Sequence, residues 1–211
     1  MPFKCRRCGE CCRRYWITLL PQDVDEEAAF LGISVREFVD NYTTLYLRIF
    51  PIQQQYRKHG LVVSSAMLPK RIAWKAEHIL FALPPFFLVL PILALKREGK
   101  ACIFFGENKC LINDVKPEQC ELFPAIAFAD ENFRALYPFC RGLKASQEGL
   151  ENRGGRHYER VRAYFEEVAE KGFSALWPAI PKNGIAVMRG KKLCEISERE
   201  FNEAISATAS P

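Results

Sequence analysis

Along this chain the rhythm of apolar and polar positions changes several times, and each change predicts an element. Tyr15-Trp16-Ile17-Thr18-Leu19-Leu20 is a short run rich in β-branched and aromatic residues and reads as a strand. Pro21 then opens a helix carrying Asp23, Asp25, Glu26 and Glu27 in its early turns, where acidic side chains suit the helix dipole, and Gly32 stops it. Ser34 and Glu37 form a capping box, so a second helix starts there and runs toward Tyr42. Residues 43–78 mix Tyr, Arg, Gln and short apolar runs without a steady period, and no element is assigned to them. Apolar runs at 86–95, 101–105 and 110–112 read as strands, with turns at Lys96–Lys100 and Gly106–Lys109; the first two runs are expected to form a strand, turn and second strand. Lys116 to Pro124 reads as a short helical turn bounded by prolines, and two more strands are expected near 125–129 and 133–137.

The last third is simpler. A polar segment, Gly142 to Gly155, precedes a long helix in which Val161, Tyr164, Phe165 and Val168 mark an apolar face at three- and four-residue spacing. Gly184–Arg189 and Lys191–Ser197 read as a hairpin around Arg-Gly-Lys, and Ser197 with Glu200 makes a second capping box before a final helix. Ser206 to Pro211 are expected to fray. One stretch invites a different reading: Ile79 to Leu95 carries no charge over 17 residues, the short limit for a membrane span. Pro84, Pro85 and Pro91 would break such a helix and strand its backbone groups in lipid, so a core strand is expected and no membrane span.

Composition narrows the picture. With 211 residues, 49% of them hydrophobic and 26% charged, the chain fits one large domain or a core with an appendage, and is long enough to bury a core without help from a metal. A net charge of +5 is too mild to argue for nucleic acid or a membrane surface. The N-terminus has neither an apolar core nor a small-residue cleavage site, so it does not read as a secretory signal and a cytoplasmic location is expected.

The nine cysteines then decide the chemistry. Cys5, Cys8, Cys11 and Cys12 fall within eight residues, and Cys102, Cys110, Cys120 and Cys140 follow from distant segments. In a reducing compartment such clusters favour metal or catalysis over disulfides. Cys5-x-x-Cys8-Gly9 has the form of a metal knuckle, in which Gly9 is expected to take a positive φ and turn its N–H toward a sulfur. Neighbouring side chains such as Cys11 and Cys12 diverge by about 100° on a helix, so they suit two metal positions or a bridge better than one ion. Eight thiolates match two four-coordinate centres. Spacing leaves zinc and iron–sulfur both open, because Cys-x-x-Cys-x-x-Cys also resembles ferredoxin ligation. Lys4, Arg6, Arg7, Arg13, Arg14, Lys109, Lys116 and Arg141 flank the cysteines and are expected to offset thiolate charge.

Taken together, Cys5-x-x-Cys8-x-Glu10-Cys11-Cys12, the following Ile17-Thr-Leu-x-Pro-x-Asp23, the Cys102 and Cys110 pair, Lys116-Pro-x-x-Cys120-x-x-Phe-Pro124 and Cys140-x-Gly142 resemble the CxxCxxCC cysteine-cluster family, the YkgJ-like zinc- or iron-chelating proteins. The family usually has Arg-Pro and Cys-Arg where this chain has Lys116-Pro117 and Cys120-Glu121, which alters local charge and not ligand number. The resemblance implies metal chelation. Flagellin N-methylase is a similar relative, and protein-lysine N-methyltransferase activity of that type is the alternative it suggests.

The expectation is therefore an α+β fold of small antiparallel strands and short helices around a cysteine–thiolate metal centre, zinc or iron–sulfur, held by Cys5, Cys8, Cys11, Cys12, Cys102, Cys110, Cys120 and Cys140. Residues 1–142 would form the metal-binding domain and 143–211 a helix-hairpin-helix extension packed on it. A structural, metal-carrier or electron-transfer role follows. Cys194 is expected to be a buried free thiol apart from the centre, packing as a small hydrophobe, and His59, His78 and His157 to be structural or on the surface. Arg153-Gly-Gly-Arg156 is read as a loop, and nucleic-acid binding is not expected without stacking aromatics beside the charge. No dinucleotide fingerprint, phosphate loop or nucleophile elbow is present. Residues 43–78 and 143–211 are where a protein partner's surface would fit.

Overall fold

The computed structural model describes residues 2–52, 61–64, 86–125, 133–150, 153–171, 173–177, 181, 185–189 and 192–206. It mixes helices and strands, as an α+β chain should. Two compact units share the chain, each made of two stretches: Met1–Phe38 with Leu95–Val161, and Val39–Ala94 with Arg162–Pro211.

The first unit begins with α1 (Glu10–Arg14) and the two-residue strand β1 (Thr18–Leu19), shorter than the apolar run around it. Helix α2 (Pro21–Leu31) keeps the bounds its sequence sets. Pro21 fits the first helical position. At the far end Gly32 adopts φ 68°, and the amides of Gly32 and Ile33 return to the carbonyls of Ala29 and Ala28, closing the helix with a left-handed cap. Helix α3 (Val35–Tyr42) starts where Glu37 N–H donates to Ser34 Oγ at 3.1 Å.

Two tight hairpins follow: β5 (Arg97–Glu98) with β6 (Ala101–Cys102), and β7 (Phe105–Gly106) with β8 (Lys109–Cys110). Glu107 and Asn108 turn the second with φ 49° and 60°, the two left-handed residues a two-residue hairpin with the right twist needs. After residues 86–95 the chain turns at Gly99–Lys100, inside the expected turn, and the apolar run after it is divided between two short ladders instead of one strand. The chain then makes a single 3-10 turn (Asn113–Val115), α4 (Glu118–Leu122), α5 (Phe133–Leu136) and α6 (Arg141–Ala145). Residues 133–136 are helical where a strand was expected; four residues are too few for periodicity to separate the two. The expected strand near 125–129 lies almost wholly outside the described residues. Ala125, Phe133, Cys140, Leu143 and Leu150 form a small core beneath Phe3, Phe123 and Tyr137.

In the second unit β4 (Phe86–Leu95) lies between β2 (Thr43–Ile52) and β3 (Leu61–Ser64), and β2 leads on to β9 (Ile185–Arg189) and β10 (Lys192–Glu195). β4 pairs antiparallel with β3, with Val89 opposite Leu61. β2 and β9 run parallel, a departure from the all-antiparallel expectation, while β9 and β10 form the expected hairpin. Leu45, Tyr46 and Leu47 are all buried, so β2 shows no alternation and has no period-two signal to mark it as a strand. The long helix α7 (Arg153–Lys171) begins within Arg153-Gly-Gly-Arg156, which is its first turn and not a loop. Its Tyr164 donates to the Pro91 carbonyl at 2.9 Å and accepts from Trp177 Nε1 at 2.8 Å. Trp177 follows α8 (Phe173–Leu176). The closing helix α9 (Glu198–Ser206) carries the expected capping box, Glu200 N–H to Ser197 Oγ and Ser197 N–H to Glu200 Oε2. Among the described residues no helix is long and apolar enough to cross a membrane.

Candidate metal centre

The N-terminal knuckle is shaped by its backbone. Arg7 takes φ 48° and points its N–H at Cys5 Sγ, 3.4 Å away, so the amide-to-sulfur bond expected of Gly9 is made by Arg7. Gly9 does take a positive φ, 72°, and a Cβ there would lie 2.1 Å from the Phe105 ring. The position admits only glycine for two independent reasons, and the second presses the knuckle onto β7. Cys11 and Cys12 follow in α1 with sulfurs 4.0 Å apart. Arg13 braces this turn, donating to the Cys8 carbonyl and to Asn108 Oδ1, both at 3.3 Å, with its guanidinium over Phe105. Arg14 pairs with Glu10 and covers Phe139. These two cations thus serve as struts.

The second four cysteines are positioned by short elements. Cys102 ends β6 and Cys110 ends β8. Cys120 sits in α4, which is held from three sides. Gln119 Oε1 accepts from Thr18 N–H at 2.6 Å and from its hydroxyl. Asp23 Oδ1 accepts from Glu118 N–H at 3.1 Å while its other oxygen accepts from Leu20 N–H at 2.7 Å. The Glu118 carboxylate in turn pairs with His157 Nδ1 at 2.7 Å and Arg160 at 2.5 Å, giving buried His157 the structural role its isolation suggested. Cys140 precedes α6, where Gly142 packs so closely on Phe3 and the Lys4 carbonyl that a Cβ would come within 2.6 Å of the ring. Phe3 N–H also donates to the Glu148 carbonyl at 2.8 Å, so residues 3–5 are laid against Cys140.

These elements bring the cysteines together. Cys5, Cys8, Cys11, Cys12, Cys110, Cys120 and Cys140 line one cavity of about 620 Å³, with Lys4, Arg6, Arg7, Lys109 and Lys116 around it. Cys102 is buried and off the lining, yet its thiol and those of Cys11 and Cys110 act electrostatically on Cys120. Cys140 responds instead to Cys8 and Cys5. By these interactions Cys120 goes with Cys11, Cys102 and Cys110, and Cys140 with Cys8 and Cys5. All nine cysteines are free thiols. Burial pushes Cys102 up to about 11 and also raises Cys110, Cys120 and Cys140; for Cys11 the hydrogen bond with Cys12 is the larger cause and burial the second. Among the described residues no three Cys, His, Asp or Glu side chains stand grouped as around an ion. The donor set nonetheless suits a thiophilic cation: eight thiols, seven of them on one cavity, with flanking positive charge.

Sequence reasoning passed over two neighbours of this site. Arg97 donates to the carbonyls of Tyr15 (2.5 Å), Arg13 (2.7 Å) and Lys100, lies over Trp16, and feels Cys102 and Cys12. Glu27 is fully buried in α2, and burial, then Asp23 and Glu26, raise its carboxyl to about 9. The available signal was helical facing: Asp23, Val24, Glu27 and Ala28 share one side of α2, whereas Asp25 and Glu26 are exposed. Cys194 lies in β10 of the other unit, half-buried where a buried thiol was expected, and His59 and His78 fall outside the described residues.

Neither the curated proteins nor the solved structures include a match to this chain. A family model does match, over residues 4–141, and its description reads "Putative zinc- or iron-chelating domain". That span takes in all eight clustered cysteines and most of the chain, and so the protein belongs to the CxxCxxCC family.

Proposed function

We infer that Cys5, Cys8, Cys11, Cys12, Cys102, Cys110, Cys120 and Cys140 hold zinc or an iron–sulfur centre, and that the protein works as a metal carrier or electron-transfer protein whose centre also braces its own unit. The observation that carries this reading is the single cavity lined by seven thiols from separate segments, with Cys5 exposed and Cys8, Cys11, Cys12, Cys110 and Cys120 half-buried. These sulfurs are within reach of solvent or a partner, as a carrier or electron-transfer centre needs. Eight thiolates fill two four-coordinate positions, so no open coordination site is left for Lewis-acid hydrolysis.

Anaerobic purification with metal analysis and visible absorption tests the reading. The expected result is bound zinc without colour, or iron with a broad visible band, lost in Cys8→Ser and Cys120→Ser. Protein that neither retains nor takes up either metal refutes it. Lysine methylation rests on the resemblance to flagellin N-methylase alone; calorimetric titration of the metal-loaded protein with S-adenosylmethionine decides it, and absence of binding removes it.

A further inference from the structure

Behind the cysteine cavity, in α2 of the same unit, one buried acidic group has no hydrogen-bond partner among the described residues. Glu27 is 0% exposed, and neither of its carboxylate oxygens has a hydrogen-bond partner among the described residues. Asp23, one turn earlier on the same face of α2, shows what a satisfied carboxylate looks like here: each oxygen accepts a backbone N–H. Helix α2 packs on the 3-10 turn Asn113–Val115, in the segment that joins Cys110 to Cys120. Glu27 acts electrostatically on the thiols of Cys102, Cys110 and Cys120, so its carboxylate sits on their side of the centre. Arg97, which acts electrostatically on Cys102, spends its guanidinium on three backbone carbonyls. A buried carboxyl with no donor, no cation and three thiols for company is explained poorly by packing and well by a positive charge arriving among those thiols.

We propose that Glu27 is a ninth metal ligand, an oxygen donor to a divalent cation held on the Cys102, Cys110 and Cys120 side of the centre. This rests on the reading that the cysteines bind metal, and adds that one position has a mixed sulfur and oxygen donor set. Three thiolates and a carboxylate complete a four-coordinate site. The other position then draws its four thiolates from Cys5, Cys8, Cys11, Cys12 and Cys140. The carboxyl proton leaves to solvent as the oxygen binds, as the thiol protons do.

The test uses the full chain, stripped of metal anaerobically and titrated with zinc against a competing chelator, for wild type, Glu27→Leu, Glu27→Gln and Glu26→Gln. Glu27→Leu is expected to lose about tenfold or more in affinity at one of the sites, since even indirect supports of a metal site are worth that much. Its metal-free form should melt no lower than wild type, because an unpartnered buried carboxyl has been removed. Glu26→Gln, an exposed change on the same helix, should bind as wild type does. Zinc-edge X-ray absorption of the wild type should show an oxygen shell at about 2.0–2.2 Å beside sulfur at about 2.3 Å. Unchanged affinity in Glu27→Leu, or a wild-type shell of sulfur alone, overturns the proposal; if the leucine variant does not fold, Glu27→Gln is judged by the same affinity criterion. Wild-type protein that takes up no zinc or iron overturns the parent reading instead.

Discussion

Single residues hold this site in shape, and glycine is the clearest case. Gly9 and Gly32 both have positive φ, but a Cβ meets the Phe105 ring at Gly9 and nothing within 4 Å at Gly32. Gly32→Ala should cost only left-handed strain, about 1 kcal/mol, whereas Gly9→Ala adds a steric term and should cost about 3 kcal/mol, read from urea unfolding of the metal-free protein. The thiols make a second prediction. Cys102 is raised by burial from 9.0 to about 11, so at neutral pH it is protonated and must lose that proton to bind metal. Metal loading should therefore release protons, and apparent affinity should rise with pH until that value is passed; calorimetry in buffers of different ionisation enthalpy counts them. The sign for the metal-free fold is opposite. Because folding raises this pKa, the contribution is fully present below pH 9.0 and declines by about 1.4 kcal/mol per pH unit as pH climbs toward 11. The cysteines stand out by spacing alone, and seven of the eight line one cavity. Glu27 does not stand out, since it lies in an acidic run and differs from Asp25 and Glu26 only in which way the helix turns it.

At the scale of elements, short pieces without cores of their own are held by side-chain hydrogen bonds. Helix α4 has five residues and no buried side chain, so Asp23, Gln119 and the Glu118 pairs set where Cys120 stands. Asp23→Ala should cost about 2 kcal/mol from two lost backbone acceptors, and it should weaken metal binding without touching a ligand. Melting of the metal-free variant and chelator competition separate the two effects. Elements with punctuation were readable: Pro21 and Gly32 bracket α2, Ser34 and Ser197 start α3 and α9. Elements without it were not. β2 is buried at successive positions and so lacks the period-two signal, and Phe133–Leu136 is shorter than the window any period needs. The parallel pairing of β2 with β9 joins segments more than a hundred residues apart, which no local pattern encodes.

For the whole molecule, a metal centre held by the cysteines from Cys5 to Cys140 would draw on segments remote in sequence, would not exist in the unfolded chain, and would turn its binding energy into folding energy. Metal present at about a thousand times its dissociation constant adds about 4 kcal/mol. In a chain of this size each kcal/mol moves the melting temperature by about 2–4 °C. Chelation should thus lower Tm by about 10 °C, and unchanged melting would leave the centre no bracing role. The most direct check of the central claim is X-ray absorption at the edge of the metal that copurifies anaerobically with the protein. A first shell dominated by sulfur near 2.3 Å, lost with the metal in Cys120→Ser, is the predicted result. A shell made only of nitrogen and oxygen, or one unaffected by that substitution, would place the metal elsewhere and contradict the account.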